Sequence, residues 1–143
     1  MEESEEKLQK IYMEFQMLDQ QIKHLEKQNE SLSSHLMELM ATSQSLEDMG
    51  KVSNGAEILV PLSSGIYAKA ELKDNNNFIV NVGANIALAK DGQSTKKIIE
   101  NQISEIKKLK ESLMLQTHSQ MQKAASLEQE MEKIASTHQV NNQ

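Results

Sequence analysis

From Leu8 onward, apolar side chains recur at alternating steps of three and four: Leu8, Ile11, Phe15, Leu18, Ile22, Leu25, then Asn29, Leu32, Leu36, Leu39, Ser43 and Leu46. Ten of these twelve rungs are apolar, and neither Gly nor Pro interrupts the chain before Gly50. A stripe this narrow, sustained over so many heptads, is the seam of a coiled coil rather than the broader face of a globular helix. At about 1.5 Å per residue, a helix over residues 4–49 would be about 65–70 Å long. No compact body built from the remaining residues could wrap it, so its seam must meet another long helix.

The C-terminal third supplies that helix. Its rungs are Ile99, Ile103, Ile106, Lys110, Leu113, Thr117, Gln120, Ala124, Leu127, Met131 and Ile134, of which eight of eleven are apolar. The two stretches are similar in length, so an antiparallel pairing follows if the middle of the chain turns back. Ser94 is the predicted N-cap of the second helix, with Lys96 and Lys97 in its first turn opposing the helix dipole. Gly50 is the predicted C′ residue of the first.

Composition agrees with an elongated helical chain and removes several function classes. Of the 143 residues, 38% are hydrophobic but only 3% aromatic, too few rings for a large compact core. There is no Cys, hence no disulfide framework, thiolate metal site or Cys nucleophile. No apolar run approaches the length of a membrane span, and the start Met1-Glu2-Glu3-Ser4-Glu5-Glu6 reverses the basic start of a signal peptide. A soluble, reduced, cytoplasmic protein is expected. All 15 basic residues are Lys and the net charge is -6, which disfavours nucleic acid as a partner. Residues 1–49 carry net -7 (11 acids, 4 Lys), residues 50–92 net zero, and residues 93–143 net +1 (6 acids, 7 Lys). That asymmetry is mildly attractive between the two helices, by about a few tenths of a kcal/mol per exposed pair at most, and the charges equally read as keeping two rods soluble.

Between the helices the period changes. Gly50 to Gly55 is punctuation, followed by Ile58-Leu59-Val60-Pro61-Leu62, a Ser63-Ser64-Gly65 connection, and the alternating run Ile66 to Leu72. Asp74-Asn75-Asn76-Asn77 is the next turn; Phe78 to Val82, Gly83-Ala84-Asn85, and Ile86 to Lys90 follow. Four short strands in two hairpins cannot close a sheet, and their edges invite pairing with other chains. Pro61 cannot donate to a ladder, which puts its strand at an edge or a bulge. The predicted organisation is an N-terminal coiled-coil helix over 1–49, two β-hairpins over 50–92, and a C-terminal coiled-coil helix with a frayed tail over 93–143. The fold class is mainly α with a small β segment.

In letters and organisation the chain resembles the prefoldin family, and within it the α class of archaeal prefoldin. The resemblance is carried by Ile58 to Lys90, above all by Leu59-Val60-Pro61-Leu62 with Ser64-Gly65, and by Val80-Asn81-Val82-Gly83. Two hairpins between two coiled-coil helices mark the α class; β-class subunits carry one. The resemblance implies an ATP-independent holdase, a hexamer of two α-class with four β-class subunits. In it the hairpins form a double β-barrel platform, and non-native polypeptides are gripped at coiled-coil tips and passed to a group II chaperonin. It also implies a filament-forming relative as an alternative, and apart from the resemblance the chain reads as a structural scaffold whose arms space other things. Family members often carry acidic residues where this chain has Ser94-Thr95-Lys96-Lys97, which implies weaker capping there.

Apolar side chains off the seam near the chain ends fit such a grip. Leu8, Ile11 and Phe15 lie on the seam, whereas Tyr12, Met13 and Met17 lie outside it, and Met131 and Ile134 face them from the second helix, with Val140 beyond. Methionine is flexible and polarizable, so it adapts to unrelated apolar partners. These eight residues are the candidate client-binding set, although the five seam residues also read as ordinary coiled-coil core. For assembly the candidates are Ile58, Val60, Leu62, Ile66, Ala68, Leu72, Phe78, Val80, Val82, Ile86 and Leu88.

Nothing points to an enzyme, a metal or a cofactor. His24, His35, His118 and His138 have no ligand-spaced partner, Ser63-Ser64-Gly65 lacks the context of a nucleophile elbow, and no phosphate-cradling Gly-rich loop is present. Asn29 on a seam rung reads either as a device fixing register and partner number or as a tolerated polar residue. Lys110, Thr117 and Gln120 mark an interrupted stretch of the second seam.

Overall fold

The computed structural model describes residues 2–141, with side chains through residue 137. Helix α1 runs Glu2–Gly50; strands β1 (Glu57–Ser63), β2 (Ile66–Glu71), β3 (Asn77–Gly83) and β4 (Ile86–Asp91) follow; helix α2 runs Gly92–Asn141. The chain divides into two units, one joining the chain up to Ser34 with the chain from Lys107 onward, the other covering His35–Ile106.

In the first unit the two helices run antiparallel. Lys110 Nζ donates to Ser33 Oγ at 2.7 Å, and Leu18 lines one groove together with Leu127. Burial follows the heptad rungs without exception: every rung of both helices is buried or half-buried, the polar ones included. Periodicity alone therefore fixed which stripe each helix turns inward. One stripe per helix makes a thin core, so among the described residues only Ile11, Leu25 and Leu39 are buried apolar side chains.

The second unit holds the hairpins. β1 pairs antiparallel with β2 and β3 with β4, as two separate two-stranded sheets. The second hairpin repeats the first at an offset of 20 residues: Glu57↔Glu71 becomes Asn77↔Asp91, and the register shift between Pro61 and Ser63 recurs between Asn81 and Gly83. Pro61 thus sits beside a bulge, where a missing donor is tolerated. The tips differ. Gly65 takes φ 79° in the first hairpin, whereas Ala84 (φ 51°) and Asn85 (φ 60°) both turn left-handed in the second, the φ pattern of a type I′ turn. Neither hairpin closes by itself; the barrel belongs to the assembly.

Three local expectations are corrected. Asp91, not Ser94, caps α2: its Oδ1 accepts from Ser94 N at 2.7 Å, and Thr95 Oγ1 donates back to Asp91 O at 2.7 Å. The last residue of β4 is also the cap, which the strand pattern concealed. Lys96 does not merely oppose the dipole, because it pairs with Glu47 of α1. Gly50 is the last helical residue and is not left-handed; i→i−3 bonds from Lys51 N to Asp48 O and Val52 N to Met49 O end the helix, and Gly55 (φ 84°) makes the left-handed step.

The Asp74–Asn77 stretch is more than a turn. Asn75 Nδ2 donates to Gly50 O (3.2 Å) and Val52 O (2.9 Å) at the end of α1. Asn76 Oδ1 accepts from Gly92 N (2.9 Å) at the start of α2. Two adjacent amides thereby satisfy backbone groups that helix ends leave orphaned. A Cβ on Gly92 would lie 2.8 Å from Asn76 Oδ1, so the closeness of this clasp explains the glycine.

Candidate functional site

Three acids, Glu2, Glu3 and Glu5, occupy the first turn of α1 and complement its dipole. Beyond them Leu8, Ile11 and Phe15 turn into the seam, Ile11 the deepest at 6% exposure. Tyr12, Met13 and Met17 stand outside it, 54%, 65% and 62% exposed. The Tyr12 hydroxyl accepts from Gln16 Nε2 at 3.2 Å, which holds the ring along the helix. On α2, Met131 and Ile134 are half-buried seam residues. Val140 lies outside the residues whose side chains are described. The eight candidates therefore separate into five seam residues and three exposed ones.

Further exposed apolar residues lie where the tip-centred reading did not look. Met114 and Leu115 on α2 are as exposed as Met13, and Leu109 and Met121 join them. Met114 and Met121 are one heptad apart on the flank of the α2 seam. A check of every large apolar residue against the rung pattern would have found them. One groove is lined by Met17, His24, Leu25, Gln116 and Gln120, another by Asn29, Met114, Thr117, His118 and Met121.

Those grooves flank the polar stretch of the seam. Ser33 and Lys110 bond to each other, and Thr117 Oγ1 bonds back to Leu113 O at 2.7 Å. Asn29 Oδ1 and Gln120 Oε1 are buried with no hydrogen-bond partner among the described residues. A buried acceptor left unpaired carries a penalty of about 1–3 kcal/mol. Three histidines are surface groups: His24 bonds Gln28, His118 bonds Gln122, and His35 Nδ1 lies 3.8 Å from Glu38 Oε2, a carboxylate neighbour that spacing had not suggested. His138 lies outside the described side chains. No cluster able to hold a metal ion occurs among the described residues.

In the second unit the hairpins expose apolar side chains on both faces. Of the assembly candidates, Val60, Leu62, Ile66, Val82, Ile86 and Leu88 are exposed, and Ile58, Ala68, Leu72, Phe78 and Val80 are half-buried. Leu59, Tyr67 and Ile79, absent from the candidates, are exposed too, Ile79 at 74%. They project opposite Val60 and Val80, so an alternation-based choice missed them. The near-continuous apolar runs of β1 and β3 were the available signal, since such runs belong to strands covered on both faces.

No helix among the described residues is long and apolar enough to cross a membrane. The chain is 28% identical over 130 residues to prefoldin subunit alpha of Methanococcus vannielii, covering 91% of this chain and 87% of that protein. It is 32% identical over 106 residues to prefoldin subunit alpha of Methanococcus maripaludis, covering 74% of this chain and 72% of that protein. The fold matches a chain of the filamentous prefoldin of Methanocaldococcus jannaschii, seen by cryo-electron microscopy, with TM-score 0.72 at 20% identity, over 79% of this chain and 93% of that one. The family model described as prefoldin subunit matches residues 18–137. The chain belongs to the prefoldin family of chaperone subunits, on its alpha-like side.

Proposed function

We propose that the chain is the α-class subunit of a cytoplasmic, ATP-independent holdase and has no enzymatic activity. Two copies would assemble with four β-class subunits through the hairpins, and the complex would hold unfolded polypeptides and pass them to a group II chaperonin. The observation that carries the reading is the set of methionines and other apolar side chains left outside the heptad seam, Tyr12, Met13 and Met17 above all. A helix pair serving only as a spacer has no use for them, because exposed apolar groups invite association.

Each such contact is weak, since fully burying one large apolar side chain contributes about 1.5–3 kcal/mol. Several subunits engaging one client raise affinity through effective concentration, and weak individual contacts let go without a nucleotide cycle. The seam residues Leu8, Ile11, Phe15, Met131 and Ile134 would add to the grip where the helix pair opens.

A second reading, self-assembly into a filament, is favoured by one finding: the matched fold comes from a filamentous prefoldin. Native mass spectrometry of the complex carrying a tag on this chain separates the two. A 2:4 complex with a smaller subunit supports the holdase reading, and a ladder of self-only oligomers supports the filament. The gripping role is tested by Met13→Ser with Met17→Ser. Helicity and assembly should persist while suppression of aggregation of a denatured client drops several-fold. Unchanged suppression removes those two residues from the grip.

A further inference from the structure

The sequence contains one Asn-Gly peptide, Asn54–Gly55, and it lies between α1 and β1 with both residues exposed. Such a peptide is chemically reactive by its own composition. The backbone nitrogen following asparagine can attack the side-chain carbonyl carbon, and glycine, lacking a Cβ, hinders that approach least. The structure places a bond on each reacting partner. Gly55 N, the nucleophile, donates to Leu72 O at 2.6 Å. Asn54 Oδ1, on the electrophilic amide, accepts from Asn75 N at 2.7 Å. Asn75 is itself anchored by its side chain to Gly50 O and Val52 O.

We propose that Asn54 is a deamidation site whose reaction is gated by the Asn75 clasp. When the clasp opens, Gly55 N gives up its proton to solvent base and bonds to Asn54 Cγ. The Cγ–Nδ2 bond breaks, and the nitrogen leaves as ammonia after taking up a proton, giving a five-membered imide. Water opens the imide at either carbonyl, yielding an aspartyl or an isoaspartyl residue at position 54. The sum is amide plus water to acid plus ammonia, without a further reactant. The isoaspartyl product carries an extra methylene in the main chain at the junction of α1 with the first hairpin, and both products add a negative charge there.

The other glycine junction of comparable chemistry, Asp91–Gly92, is held differently. Gly92 N is bonded to Asn76 Oδ1 (2.9 Å), and the Asp91 carboxylate is engaged by Ser94 N (2.7 Å) as a helix cap. An ionised carboxylate is a poor electrophile, so reaction concentrates at Asn54.

The experiment incubates the full-length chain in its assembled state at mildly alkaline pH and resolves the products at position 54 by peptide mass spectrometry. The same chain in urea gives the unguarded rate. One hydrogen bond holds back opening by about two- to tenfold. The native chain should therefore react about four- to hundredfold more slowly than the denatured one, with two bonds to break. Asn75→Ala, which removes the anchor but keeps the backbone donor, should accelerate the native reaction about two- to tenfold. Equal native and denatured rates would overturn the gate, and absence of product at position 54 in urea would overturn the site. The native-to-denatured comparison uses the unaltered chain, so it decides the matter even where Asn75→Ala misfolds.

Discussion

Replacing Asn29 by leucine tests the energetic account of the seam. Asn29 Oδ1 is buried on an α1 rung and has no partner among the described residues, and the groove beside it is lined by Met114, Thr117 and Met121. Removing an unpaired buried acceptor recovers about 1–3 kcal/mol. A leucine at a half-buried position adds about 1 kcal/mol, half of its full burial value. Imperfect packing beside Thr117 takes some of this back, leaving about 1–3 kcal/mol per chain. At about 2–4 °C per kcal/mol for a chain approaching this size, Tm should rise by about 2–12 °C. Circular dichroism melting of the assembled complex measures the shift, and light scattering measures its mass. A polar residue on such a rung restricts partner number, so the gain should come with a broader distribution of oligomers. A Tm that stays level or falls, with helicity and mass retained, refutes the reasoning, because Asn29 would then be satisfied in the native state.

Two further outcomes follow from the second unit. Ala84 holds φ 51° at the second hairpin tip, where an L-residue carries about 1–2 kcal/mol of strain. Ala84→Gly relieves it at an unfolded-state entropy cost of about 0.5–1 kcal/mol, so Tm should rise by a few degrees; a decrease would contradict the turn geometry. The Asp91 carboxyl is held below the usual carboxylate range, first by the backbone N–H of Ser94 and then by the Ser94 side chain. A lowered folded-state value means the cap's contribution is complete above the ordinary aspartate range and is lost as pH falls through it into the lowered range. Hydrogen exchange of the amides at 94 and 95 should therefore speed up there relative to mid-helix amides, and Asp91→Ala should abolish that pH dependence.

The helices were legible because a single rule governs them. A two-helix seam buries one stripe, so even Asn29, Lys110, Thr117 and Gln120 turn inward once their apolar neighbours have set the phase. The strands and their pairing were legible from alternation and turn residues. The exposed face of β1 and β3 was not, since period-2 reasoning assumes one solvated face and Leu59 and Ile79 violate that assumption. The caps were misplaced for a different reason: a strand and a helix meet at Asp91, and one residue ends the first while capping the second.

The sequence by itself determined the element order, the inward stripe of each helix, the two hairpins and the likeness to prefoldin, because these depend on periodicity and local backbone preference. Tertiary structure alone decided the Asn75–Asn76 clasp, the Glu47–Lys96 pair, and the orphaned Asn29 and Gln120 acceptors. Each depends on which atoms from distant parts of the chain come within hydrogen-bond reach, or fail to. Local pattern carries no record of that distance.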